Sequence, residues 1–164
     1  MPKNDSSLHK VCIAAIQRHT MLDFAHEFKY SSYYPEPSHF AEEVATELTI
    51  TLHNEELCIC STIVDAQNWS VLTTQRIITC IAGGTQQGNI IEAVDRKLGH
   101  FKDKENATIF GHIILKSGLE IPFFIETRKA SMIMIQGVLT VIQRSTCTDE
   151  QNEKVARIWN RKSI

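Results

Sequence analysis

Two cysteines separated by one residue, Cys58 and Cys60, raise the question of a metal. His53 precedes them across the short connection Asn54-Glu55-Glu56, and Cys80 follows in a later apolar run. On a strand, residues i and i+2 share a face, so two thiolates and an imidazole would converge at tetrahedral zinc distances. The spacing is C-x-C, however, and not the paired C-x-x-C of zinc-binding segments. Cysteine inside an apolar run behaves as a small hydrophobe, so core packing is the expected role and no metal or other cofactor is expected. A Cys–His nucleophile pair fares no better, because no third residue stands ready to orient the histidine. The chain has no P-loop, no G-x-G-x-x-G and no H-E-x-x-H. Its glycine-containing stretch Ala82–Asn89 leads into an expected strand and not into a helix, so it lacks the dipole that cradles phosphate and is read as a hairpin loop. The expected protein is not an enzyme.

Positive charge is concentrated only between Arg96 and Lys104. Arg96, Lys97, Lys102 and Lys104 are the candidate ligands there for a phosphate or an anionic lipid headgroup. Asp95, Asp103 and Glu105 interleave with them and dilute the field, which favours a solvated loop. With a formal net charge of -2, the chain has no global pull toward nucleic acid, and none is expected as a partner. Arg76 stands alone in Trp69–Ile81, just after Thr73, Thr74 and Gln75. It is expected to anchor a turn to carbonyls or a carboxylate, with the threonine hydroxyls bonding turn amides.

The elements that carry these residues change period along the chain. Leu8, Val11, Cys12, Ala15, Ile16, His19, Leu22, Ala25 and Phe28 have the spacing of one helical face, with Ser6 or Ser7 as N-cap. Pro35 and Pro37 stop a helix, and Tyr30–Phe40 reads as a linker. Short runs with strand patterning follow at Glu47–His53, Leu57–Val64, Trp69–Thr73, Arg76–Ala82, Asn89–Val94, Ala107–Lys116 and Glu120–Glu126. Strands joined by tight turns imply antiparallel sheets and not βαβ units. Arg128–Arg144 then reads as a helix with Gly137 inside its apolar stripe, a position best explained by close approach to a sheet. Thr148 and Gln151 form a T-x-x-Q capping box for a last helix. Its Val155, Ile158 and Trp159 are expected to pack on the protein itself or on a second copy, with Lys154, Arg157, Arg161 and Lys162 around them.

A chain of 164 residues with 43% apolar content is long enough for one substantial core. The five cysteines form no disulfide framework and point to a reducing compartment. The N-terminus lacks the apolar core of a signal peptide, and the longest apolar run, Ala130–Ile142, is too short to span a bilayer. A cytoplasmic location is the expectation.

Leu72, Thr73, Arg76, Ile77 and Ile78 follow a pattern of apolar-Thr-x-x-Arg-apolar-apolar at a strand-turn-strand junction. This pattern resembles the pleckstrin-homology-like superfold, in particular bacterial PH and GRAM-type domains, over roughly Glu47–Arg144. The resemblance implies a mostly β (α+β) fold, a PH-like barrel of about seven antiparallel strands in two packed sheets closed by a C-terminal helix. Here an N-terminal helix and linker (1–46) precede that domain (47–144), and a short helix (145–164) follows it. Lipid-binding PH domains carry their basic signature in the loop joining the first two strands, which is the acidic Asn54-Glu55-Glu56 in this chain. The implied function is therefore a noncatalytic module recognising a protein or peptide, through an exposed strand edge. The alternative is a peripheral membrane module that binds anionic lipid through the basic loop and the last helix. The N-terminal helix must cover either its own domain or a neighbour's, and the second case gives a homodimer.

Overall fold

The structure, a computed structural model, describes residues 5–20 and 28–162. The apolar stripe near the N-terminus folds into α1 (Asp5–His19), which buries Val11, Cys12, Ala15 and Ile16. The helix begins before either serine expected to cap it. Ser7 instead donates its hydroxyl to Asp149 Oδ1 at 2.6 Å. The expected continuation through Leu22 and Ala25 lies outside the described residues, while Phe28 packs on the core.

The segment read as a linker contains β1 (Ser31–Tyr33), which pairs with β2 (Cys58–Asp65), and the start of α2 (Pro37–Glu43). Pro37 fits the helix start because a missing N–H costs nothing in the first turn. β2 continues into β3 (Asn68–Thr73), β4 (Arg76–Ile81) and β5 (Gly84–Asn89), giving an antiparallel sheet in the order β1-β2-β3-β4-β5. β5 corrects the expectation of a hairpin loop over Ala82–Asn89. Its ladder to β4 runs without a break from Ile81↔Gly84 to Arg76↔Asn89. A strand with mostly exposed side chains needs no apolar alternation, so its pairing left no trace in the pattern.

Asn89–Val94 is not one strand. Ile90–Glu92 forms a 3-10 turn, and β6 starts at Ala93 (Ala93–Lys97). With β7 (Thr108–Leu115) and β8 (Glu120–Glu126) it forms the second antiparallel sheet, in the order β6-β7-β8. The expected strand Glu47–His53 is also absent. Those residues turn, with Thr49 at φ +56° and the Ile50 amide bonded to Ala45 O at 2.9 Å. Their apolar members, Leu48, Ile50 and Leu52, cover Trp69, Val71 and Ile78 on the outer face of the first sheet. Alternation was present because one side of the segment is buried, but burial comes from draping and not from pairing.

The inner face of the first sheet, the second sheet, α1 and α3 (Ser131–Arg144) enclose the main core, which includes Ile16, Leu72, Ile77, Phe123, Ile133 and Met134. Gly137 lets α3 lie directly on β2 and β3. A Cβ there would sit 2.9 Å from Cys60 Sγ and 3.0 Å from Leu72 Cδ2. α4 (Asp149–Lys162) begins at the expected capping box, with the Thr148 amide bonded to Gln151 Oε1 at 3.0 Å and the Gln151 amide to Thr148 Oγ1 at 3.2 Å. It packs on α1, and the Arg18 guanidinium stacks 4.9 Å from the Trp159 ring centroid. Val155 and Trp159 pack against the core, leaving Ile158 exposed. The apolar face of α1 is thus covered within the chain. The architecture is α+β, two antiparallel sheets of five and three strands with four α-helices among the described residues, and the sheets close no barrel. No helix among the described residues is long and apolar enough to cross a membrane.

Candidate functional site

The β3–β4 turn is built around Arg76. Its side chain is 9% exposed and faces Glu56, whose side chain is fully buried. Arg76 Nε donates to Glu56 Oε2 at 2.9 Å and Nη2 to Glu56 Oε1 at 3.1 Å. Nη2 also reaches Thr51 O at 2.8 Å, and Nη1 reaches Gln87 Oε1 at 2.7 Å. Thr73 donates its hydroxyl to Glu56 and accepts the amides of Gln75 and Arg76. Thr74 Oγ1 accepts the Leu57 amide at 3.1 Å. Burial pushes the Glu56 carboxyl up, but hydrogen bonds from Arg76, Thr73 and the His53 amide outweigh it and hold the group below its ordinary range. Every donor direction of the guanidinium that points inward is met, so Arg76 is an anchor, as its lone position in the sequence implied.

Cys58 and Cys60 do not converge. A β-bulge between them shifts the register from Cys58↔Thr73 to Cys60↔Leu72. One extra residue reverses the facing rule for i and i+2. Cys60 therefore joins the inner core, 3.5 Å from Met134 Sδ, while Cys58 and Cys80 lie under the draped segment on the outer face. Burial pushes the thiols of Cys12, Cys58 and Cys60 up, which makes them poor nucleophiles and ligands. His53 is exposed and faces Glu56 at 3.9 Å. Among the described residues no group of three or more His, Cys, Asp or Glu is placed to hold a metal.

The basic residues are divided. Arg96 lies 3.7 Å from Asp95, and Lys97 Nζ lies 2.9 Å from Glu120 Oε1 across the second sheet. Lys102 and Lys104 instead line a cavity of about 660 Å³ with Arg128 and Lys129, over Phe101, Ser131 and Met132. Two segments, Leu98–Ala107 and Thr127–Ser131, are stitched together to make it. The Arg128 amide donates to Phe101 O at 3.0 Å, Arg128 Nη2 to Lys104 O at 2.8 Å, and Thr127 Oγ1 to Asn106 O at 2.7 Å. Arg128 is held at φ +69°, a left-handed conformation that costs a non-glycine residue roughly 1–2 kcal/mol.

Asp103 does not line this cavity. It turns back on its own loop, accepting Asn106 Nδ2 at 2.8 Å and the Glu105 amide at 2.7 Å, and those bonds hold its carboxyl below the usual range. Four cations thus line the cavity with no carboxylate among its lining residues, while Lys104, Arg128 and Lys129 also line an adjoining cavity that holds Glu105 and Glu126. The first turn of α3 carries no acid either, so the positive end of the helix adds to the same field.

Arg128 and Lys129 are not among the candidates the sequence offers, where Arg128–Arg144 reads as one helix; the structure places Arg128–Ala130 in a 3-10 turn and starts α3 at Ser131. Two cations at a helix start, where the dipole favours acids, are the signal that marks them. Comparison with protein-family models, curated proteins and solved structures finds no match to this chain.

Proposed function

We propose that this chain is a noncatalytic binding module of the PH-like kind that takes an anionic group, such as a lipid headgroup, in the cavity formed by Lys102, Lys104, Arg128 and Lys129. The carrying observation is four cations around one concave site with no carboxylate lining it. Clustered cations create a positive potential that attracts an anion. Phe101 and Met132 supply an apolar surface beside the charges, which suits a ligand with both phosphate and hydrocarbon parts. The PH-like reading is supported by the order of the chain: the meander β2-β3-β4-β5, the meander β6-β7-β8, then α3 across the inner face. The basic residues lie elsewhere than in the loop where lipid-binding PH domains carry them.

Co-sedimentation tests the proposal. The protein should pellet with phosphatidylcholine vesicles containing phosphatidylserine or a phosphorylated phosphatidylinositol, and stay in solution with phosphatidylcholine alone. At about 1 kcal/mol for each cation near an anionic surface, loss of two cations weakens binding roughly thirtyfold, and the charge reversal in Lys102→Glu/Lys104→Glu should weaken it by at least that much. Equal binding to neutral and anionic vesicles, or an unaffected double variant, would sink the proposal. A second reading, recognition of a protein or peptide, is favoured by an open strand edge remote from these residues in sequence.

A further inference from the structure

The basic cavity and the one adjoining it share Lys104, Arg128 and Lys129 as a common wall. Glu126 builds another side of the adjoining cavity. Its buried carboxylate accepts the amides of Lys29, Tyr30 and Ser31 at 2.8, 2.9 and 2.9 Å, which holds Lys29 and Tyr30 in the lining with Glu105, Asn106 and Ala107. Arg128 stands in the common wall at φ +69°. Strain of this kind in a non-glycine residue clusters at ligand clamps.

The two cavities differ in what they add to that wall. The basic one adds Lys102 with Phe101 and Met132, which is charge of one sign beside apolar surface. The adjoining one, of about 540 Å³, adds Lys29 and Glu105, one charge of each sign, with Asn106 and Thr127. Glu126 lines it too, but both of its oxygens are engaged by main-chain amides. Glu105 is exposed, and among the described residues no cation is paired with its carboxylate. Lys29 Nζ lies 5.2 Å from the Tyr30 ring centroid. A ligand group of one sign is therefore mismatched here: a second phosphate meets Glu105, and a bare ammonium meets Lys29 and the shared cations. A group that carries both signs satisfies both residues.

Resting on the anion-binding reading above, we propose that the paired cavities hold one phosphodiester whose polar end is an amino acid with both ammonium and carboxylate. The phosphate sits on Lys104, Arg128 and Lys129, the ammonium meets Glu105, and the carboxylate meets Lys29. The glycerol or hydrocarbon end lies over Phe101 and Met132. Selection thus depends on how charge is arranged at the polar end and not on net charge alone. Such a diester exists free in solution, as glycerophosphoserine, and in membranes, as phosphatidylserine.

The test compares ligands of equal net charge. Glycerophosphoserine and glycerophosphoglycerol are titrated separately into isotopically labelled protein, and phosphatidylcholine vesicles containing either phosphatidylserine or phosphatidylglycerol are compared by co-sedimentation. The serine member should bind about fivefold more tightly, the gain expected of one well-placed exposed ion pair. In solution it should shift the amides of Lys29, Tyr30 and Ala107 in addition to those of the basic cavity. Glu105→Gln should bring the serine-to-glycerol ratio to about one, without weakening the glycerol compound and at an unchanged melting temperature. A preference seen with vesicles makes the membrane lipid the ligand, and one confined to the soluble pair makes it the free diester. Equal affinity within both pairs, or a preference that survives Glu105→Gln, would overturn the proposal while leaving the anion-binding reading in place. Binding of neither soluble compound and neither vesicle would overturn both.

Discussion

Arg76 and Arg128 carry the same guanidinium in opposite settings. Arg76 is buried against a buried carboxylate, and its neighbours Thr51, Thr73 and Gln87 complete the network. Arg128 is exposed, lies beside three lysines, and donates to a loop carbonyl. A buried charge must be paired to be tolerated at all, so the first arrangement is explained by stability alone. Clustered exposed cations have no such need. Their convergence, on two segments stitched together by main-chain bonds, is what the proposed anionic ligand would explain.

The largest effect should come from removing the partner of the buried arginine. Glu56→Ala should destabilise the protein by about 3–5 kcal/mol in denaturant unfolding, because it leaves an uncompensated charge inside. A loss comparable to that of a surface substitution would erase the distinction between the two arginines.

On the same packed side, Gly137→Leu should cost about 1–3 kcal/mol by forcing α3 away from Cys60 and Leu72. Gly137→Ala combined with Cys60→Ala should be less destabilising than the sum of the single changes by about 0.5 kcal/mol or more, since removing the thiol makes room for the added methyl. Strict additivity would mean that the contact at 2.9 Å is not what limits this position.

Acid should act on the packed region first. The folded Glu56 carboxyl is held below its ordinary range, so its contribution is complete above the unfolded glutamate pKa of about 4.3 and is lost as pH falls through the folded value. Burial likewise pushes His9 down, and its ring bonds Tyr34 O at 2.9 Å; protonating it also favours the unfolded chain. Melting temperature should therefore fall as pH is lowered, and less steeply in Glu56→Gln than in the wild type. Parallel profiles for the two proteins would remove Glu56 from the account. The smallest stability effect belongs to the cavity: Lys102→Glu should change unfolding free energy by no more than about 0.5 kcal/mol, as exposed sites do.

The packed region was the more legible of the two in sequence. A lone Arg after Thr-Thr-Gln, a glycine in an apolar helical stripe and a T-x-x-Q box each have one physical explanation, and each appears as an anchor, a close approach and a cap. Other features depend on distant residues. The bulge between Cys58 and Cys60 is set by pairing with β3, so the i and i+2 rule misplaced the thiols. Leu48, Ile50 and Leu52 alternate like a strand yet drape over one, and β5 pairs without any apolar pattern. The basic site was half visible. Lys102 and Lys104 lie in the one positive stretch, but Arg128 and Lys129 reach them from another segment, and Arg96 and Lys97 are turned toward acids by the second sheet.

The most direct measurement of the central claim is a titration of the labelled protein with a soluble phosphomonoester, glycerol 3-phosphate, followed by amide chemical shifts. Saturable shifts should cluster at Phe101–Asn106 and Arg128–Met132, weaken with salt and disappear in Lys102→Glu/Lys104→Glu, while the amides around Arg76 and Glu56 stay in place. Shifts that cluster elsewhere, or none at millimolar ligand, would contradict the account.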